Sequence, residues 1–81
     1  MKVRFSATAE KNFSVLTSPV RKALGKQLDY LLADLRHPSL NAKKYDGACG
    51  IWQGRVNRSW RFYFAIEHDE YVILAITPHP K

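Results

Sequence analysis

At 81 residues with 46% apolar side chains, the chain is long enough for one small core and too apolar for an intrinsically disordered segment, so residues 1–81 read as a single domain. Thirteen Lys and Arg against seven Asp and Glu give a formal charge of +6 and a pI near 9.8. That balance favours an anionic partner, nucleic acid or an acidic protein, without choosing between them. The single cysteine, Cys49, excludes an internal disulfide and gives no four-ligand Cys/His zinc site, so neither metal nor cofactor is expected.

Met1-Lys2-Val3-Arg4-Phe5 lacks the apolar run of a signal peptide, and no stretch of about 18 apolar residues is present to span a membrane. A cytoplasmic protein is the expectation. Residues Lys2–Ser6 alternate polar and apolar, which predicts a short strand with Val3 and Phe5 on its buried side. Ser6 or Thr8 can cap a first short helix, in which Ala9, Phe13 and Leu16 fall at helical spacing. Thr17-Ser18-Pro19 ends it and starts a second helix, with Ser18 as the cap and proline at the first helical position.

The second helix carries Val20, Leu24, Leu28, Leu31 and Leu35 on one stripe, with Lys22, Lys26 and Asp29 opposite, and ends near Arg36-His37-Pro38. Each fully buried leucine contributes about 1.5–3 kcal/mol, which makes the stripe a core element. Residues 37–50 read as a polar connection with turn markers at Pro38, Asp46-Gly47 and Gly50.

A hairpin follows, Ile51–Val56 and Trp60–Ile66 around a polar Asn57-Arg58-Ser59 corner. Alternation puts Trp60, Phe62, Phe64 and Ile66 on one face of its second strand and Arg61, Tyr63 and Ala65 on the other. On its first strand, Trp52, Gly54 and Val56 oppose Ile51, Gln53, Arg55 and Asn57. Glu67-His68-Asp69-Glu70 is a charged turn, and Tyr71–Thr77 is an apolar run of the kind found in a central strand. The chain then ends at Pro78-His79-Pro80-Lys81.

The order β-α-α-β-β-β predicts an α+β fold, with two N-terminal helices packed on one face of a four-stranded, mainly antiparallel sheet. If the helices cover Val3, Phe5, Trp60, Phe62, Phe64, Val72, Leu74 and Ile76, the uncovered face shows Gln53, Arg55, Asn57, Arg61, Tyr63, Thr77 and His79. Two guanidiniums on one face call for an anion, because arginine's planar fork of N–H donors matches phosphate oxygens. Tyr63 can stack on a base or hydrogen-bond a phosphate, and His79 titrates near neutrality. With RNA bound, the set can support attack of a ribose 2′-OH on the neighbouring phosphate, although no general-base carboxylate is apparent.

Structural readings stand beside these. Arg55 and Arg61 can pair with Glu67, Asp69 or Glu70 at the sheet edge, Tyr63 can be a packing aromatic, and His79 a terminal residue without a role. Lys43 and Lys44 read either as a solvated loop or as contacts to flanking phosphates. No glycine-rich phosphate loop or metalloprotease motif occurs.

The capped Ala9-x-x-x-Phe13 helix, the leucine-striped helix starting at Pro19, the segment Trp52-x-x-Arg55-Val56-Asn57-x-x-Trp60-Arg61-Phe62-x-Phe64 and the last apolar strand before His79 together resemble the RelE/ParE superfamily of bacterial type II toxins. The resemblance implies a toxin neutralised by a cognate antitoxin. It further implies mRNA cleavage, usually on the ribosome, by 2′-OH attack giving a 2′,3′-cyclic phosphate.

By position, Arg61 matches the arginine associated with the transition-state phosphate, Arg55 a basic second-strand position, and His79 a C-terminal acid or base. Gln53, Tyr63, Lys43, Lys44 and Arg58 are the expected RNA contacts. The paired second-strand lysines of RelE are not reproduced here; Trp52, Gln53 and Gly54 stand nearby. ParE-like members instead poison DNA gyrase without nuclease activity, which leaves gyrase inhibition and an inactive remnant as the alternatives.

Overall fold

The computed structural model describes residues 1–78. Its elements are β1 (Lys2–Phe5), α1 (Ala7–Ser14), α2 (Ser18–Ala33), a single 3₁₀ turn (Pro38–Leu40), β2 (Lys43–Asp46), β3 (Ile51–Arg55), β4 (Trp60–Glu67) and β5 (Glu70–Pro78). The sheet order is β1-β5-β4-β3-β2. β1 runs parallel to β5 and every other neighbouring pair is antiparallel. The expected two-layer α+β fold is therefore present, with five strands instead of four.

The added strand is β2, inside the segment read from sequence as a connection. It is short, polar and exposed over most of its length, and it pairs only along one side, so no apolar alternation marks it. α2 also ends at Ala33, short of the expected Arg36-His37-Pro38. Asp34 leaves the helical region there, and its Oδ1 accepts from the Arg36 N–H at 2.9 Å, a local alternative to another helical turn. Thr17, in place of Ser18, takes the position before the helix and makes no side-chain capping bond.

The core lies between the helices and one sheet face. Ala9, Leu16, Leu24, Leu31 and Leu40 meet Val56, Phe62, Phe64, Tyr71, Ile73 and Ile76. Val3, Phe5, Trp52 and Trp60 are partly buried against them, and Phe5 meets Phe13 edge to face at 5.7 Å. Arg21 of α2 joins the two helices by donating from Nη2 to the Ser14 carbonyl at 2.9 Å and lying over the Phe13 ring, which satisfies a helix end.

One face assignment differs from uninterrupted alternation. Tyr63 pairs with Ala75 but Phe64 pairs with Ile73, so Leu74 is an extra residue, a β-bulge. It moves Tyr71 and Ile73 into the core in place of Val72 and Leu74. Val72, although buried, sits in the cross-strand row Arg4–Val72–Ala65–Ile51 on the opposite face. Past the bulge, Ile76 is in the core and Thr77 on the far face, as alternation from the chain end predicts.

α1 holds the bulge in place. Ser6 accepts from the Ala9 N–H at 3.1 Å as the helix cap and donates its hydroxyl to the Leu74 carbonyl at 3.0 Å. Asn12 Oδ1 accepts from the Ile76 N–H at 3.0 Å. Backbone groups next to the irregularity thus find partners on the helix that covers it.

Candidate nucleic-acid interface

No helix among the described residues packs on the face of the sheet opposite the core. Register builds this face in rows. Arg55 of β3 lies directly opposite Arg61 of β4, which lies opposite Thr77 of β5. One row along, Lys43, Gln53, Tyr63 and Ala75 follow one another from β2 to β5. Directly opposed residues hold their Cβ atoms about 4.5–5.5 Å apart, so the two guanidiniums share one site.

The hairpin corner fixes that register. Asn57 Oδ1 accepts from the Ser59 and Trp60 N–H groups at 2.8 and 2.9 Å, an Asx-type turn that brings β4 back beside β3. On the core side Gly54 faces Phe62, and a Cβ on Gly54 would collide with three carbons of the Phe62 ring. Gln27, buried on α2, donates from Nε2 to the carbonyls of Ser39 and Arg55, both at 2.8 Å. That bond ties the end of β3, and with it Arg55, to the helix layer.

Arg61 is half-buried and its Nη1 donates to the carbonyls of Asn57 at 2.8 Å and Trp60 at 3.0 Å. These bonds hold the guanidinium plane while Nη2 and Nε have no protein partner among the described residues. Burial first, and then the charge of Arg55, lower the Arg61 pKa below its ordinary value, and Tyr63 offsets part of this. Both lowering causes disfavour a lone cation, and the opposite charge of a bound anion offsets them.

The one ion pair among the described residues is Arg4–Glu70 at 2.9 Å. Glu70 is thus engaged at the far edge, and neither Arg55 nor Arg61 pairs with Glu67, Asp69 or Glu70. Gln53 Nε2 donates to the Tyr63 hydroxyl at 3.2 Å, which leaves the phenolic hydrogen for an acceptor on a ligand. Asp46 Oδ1 accepts from the Ala48 and Cys49 N–H groups of its own turn. Among the described residues no group of His, Cys, Asp and Glu could hold a metal ion, and no helix is long and apolar enough to cross a membrane.

Of the residues singled out from sequence, Arg55, Arg61, Gln53, Tyr63 and Lys43 share the uncovered face. Lys44 does not: it pairs with Trp52 on the core side, its Nζ 5.8 Å from the ring centroid. Arg58 is exposed at the hairpin corner, beyond the Arg55–Arg61 row. His79 lies outside the described residues. His37 stacks on Tyr30 at 3.9 Å and its Nδ1 accepts from the Ser39 N–H, so it has a structural role.

Tyr45 belongs on this face and was missed. Its ring meets Tyr63 edge to face at 5.0 Å. The signal for it was the Lys43-x-Tyr45 alternation, hidden by reading residues 37–50 as a loop.

No protein-family model matches this sequence, and no curated protein matches it. Solved structures do match over nearly the whole chain. The YoeB/ParE toxin from Agrobacterium tumefaciens superposes with a TM-score of 0.84 at 10% identity, covering 99% of this chain and 100% of that one. The YoeB dimer from Staphylococcus aureus gives 0.83 at 14% identity over 99% and 98%. The Escherichia coli RelBE toxin-antitoxin complex gives 0.76 at 20% identity over 98% and 96%. The fold expected from the sequence resemblance, that of the RelE, YoeB and ParE toxins, is the fold of this chain.

Proposed function

We propose that this chain is a type II toxin of the RelE/ParE superfamily that cleaves messenger RNA. The observation that carries the reading is the Arg55–Arg61 pair, directly opposed on an uncovered sheet face and without a carboxylate partner among the described residues. A phosphodiester placed between them supplies the missing negative charge. The ribose 2′-OH attacks phosphorus, the bond to the 5′ oxygen breaks, and the products are a 2′,3′-cyclic phosphate and a free 5′-OH.

Nη2 and Nε of Arg61, with Arg55, stabilise the charge that builds on the non-bridging oxygens, and Tyr63 donates its remaining hydrogen to the same group. His79 is assigned one of the two proton transfers, as acid to the departing 5′ oxygen or as base toward the 2′-OH, and water takes the other, so the proton lost by the 2′-OH is balanced by the one gained at the 5′ oxygen. Lys43 and Gln53 contact the strand beside the scissile phosphate, with Arg58 and Lys44 reaching more distant phosphates. The ribosome, where mRNA is threaded through the decoding site in the cytoplasm, is the proposed setting. An acidic cognate antitoxin is the proposed regulator, supported by the net charge of +6 and by the similarity to the toxin-antitoxin complex of E. coli.

The test is inducible expression in a bacterial host with mapping of mRNA 5′ ends. Wild type should arrest growth and leave cut messages with 5′-OH ends. Arg61→Ala should lower cleavage by about 10²–10³-fold, and Arg61→Lys, which keeps the charge but not the fork, should recover only part of it. His79→Ala should lower cleavage by about 10²–10⁴-fold with the fold intact. Growth arrest with intact messages and a DNA-damage response would replace RNA cleavage by gyrase inhibition.

A further inference from the structure

The uncovered face continues past the guanidiniums into an apolar depression. Tyr63 is two residues from Arg61 on β4, about 6.8 Å along the strand. Beside it stands Tyr45, an aromatic of edge strand β2 with 63% of its surface exposed. With Ile51, Leu74, Ala75 and Thr77 the two tyrosines line a shallow depression of about 370 Å³.

The combination restricts the occupant. An apolar floor next to two cations that have no ion-pair partner among the described residues suits a ligand whose flat apolar part is joined to an anion. A nucleotide has that form, whereas an apolar side chain of a protein would leave both guanidiniums without a counter-charge. A paired base is shielded in its helix, so the base that fits a shallow floor of this kind is an unstacked one from a single strand.

We infer that Tyr45, Tyr63 and the Leu74 floor form a subsite for one unstacked base of single-stranded RNA, adjacent to the phosphate held by Arg55 and Arg61. This rests on the RNA reading above and adds a stacking contact from the edge strand. Tyr45 supplies a ring face; the Gln53 bond fixes Tyr63 behind it; Leu74, the bulge residue, closes the floor. Stacking accepts any base and discriminates weakly among them, with a preference for those of larger π-surface.

The experiment measures binding of two short single-stranded RNA oligonucleotides to the purified chain, one intact and one with a single abasic ribose at the position under test, scanned along the oligonucleotide. Wild type should bind the intact oligonucleotide about 5- to 150-fold more tightly than the abasic one at one position, the range a single aromatic–base stack contributes. Tyr45→Ala should bind the intact RNA as weakly as wild type binds the abasic RNA, with no further loss on the abasic RNA. Tyr45→Phe and Tyr45→Trp should retain the difference. Tyr45 is exposed, so none of these variants removes a core contact.

Equal binding of intact and abasic RNA at every position, or an undiminished difference in Tyr45→Ala, overturns the subsite while leaving the RNA reading in place. Failure of wild type to bind either oligonucleotide at low salt also overturns the subsite, whereas the RNA reading is overturned separately, by intact messages in the expression experiment above.

Discussion

Gly54 faces Phe62 across β3 and β4, and the ring occupies the space a side chain at Gly54 would fill. In sequence this glycine was only a departure from the basic second strand of RelE; the register gives it a packing reason. Gly54→Ala should destabilise the fold by about 1–3 kcal/mol, the usual range for overpacking. Chemical denaturation measures it, and a Phe62→Leu change in the Gly54→Ala background should recover part of the loss. Arg55 and Arg61, by contrast, were legible as a pair, because a three-residue polar corner and simple alternation fix which side chains oppose each other. What alternation could not show is the Arg61 hydrogen bonding to the Asn57 and Trp60 carbonyls, which depends on how the corner folds.

At the scale of elements, α1 does more than cover the sheet. Ser6 and Asn12 reach the backbone of β5 at Leu74 and at Ile76, so helix and bulge specify each other. Asn12→Leu should leave the Ile76 N–H buried without a partner and destabilise the chain by about 1–3 kcal/mol, read as a lower denaturation midpoint with an unchanged slope. The bulge itself was invisible in the apolar run Tyr71–Ile76, where every position can be buried and no charged residue marks the face. β2 was missed for the opposite reason: its Lys43-Lys44-Tyr45-Asp46 has too little apolar character to declare a strand, and it forms because the β3 edge offers unpaired backbone groups. The helices were legible through their apolar spacing, and only the end of α2 moved, by the local bonding of Asp34.

At the scale of the whole molecule, part of the positive charge is gathered on a surface that strands and not helices define. Arg55, Arg61 and Lys43 lie in two adjacent rows of the uncovered face through register, away from the Arg4–Glu70 pair at the β1 side. With Arg55 and Arg61 on one phosphate and Lys43 on the next, these side chains should contribute about −1.4 to the log–log slope of RNA affinity against salt, from about −0.7 per phosphate contact on a single strand. Lys43→Ala should reduce the slope by about 0.7, whereas Arg55→Ala, which leaves Arg61 on the shared phosphate, and Lys44→Ala, on the core side of the sheet, should each reduce it less. Fold class was legible because the order and period of the elements suffice for it, and the same pattern persists in solved toxins at 10% to 20% identity. The site was legible only in part, because Tyr45 and the separation of Lys43 from Lys44 depend on β2 pairing with β3.

The bulge at Leu74 has a bearing on how this strand can change. Upstream of it odd-numbered residues enter the core, and downstream Ile76 does, while Thr77 joins the Arg61 row. Removing Leu74 would close the ladder without the bulge and restore strict alternation, with Ile76 still in the core and Thr77 still opposite Arg61. The strand therefore carries one residue in excess of its own alternation. A substitution at Leu74 keeps both faces and so does its deletion, with loss of the bond from Ser6 to its carbonyl, so β5 tolerates a one-residue change in length at this point.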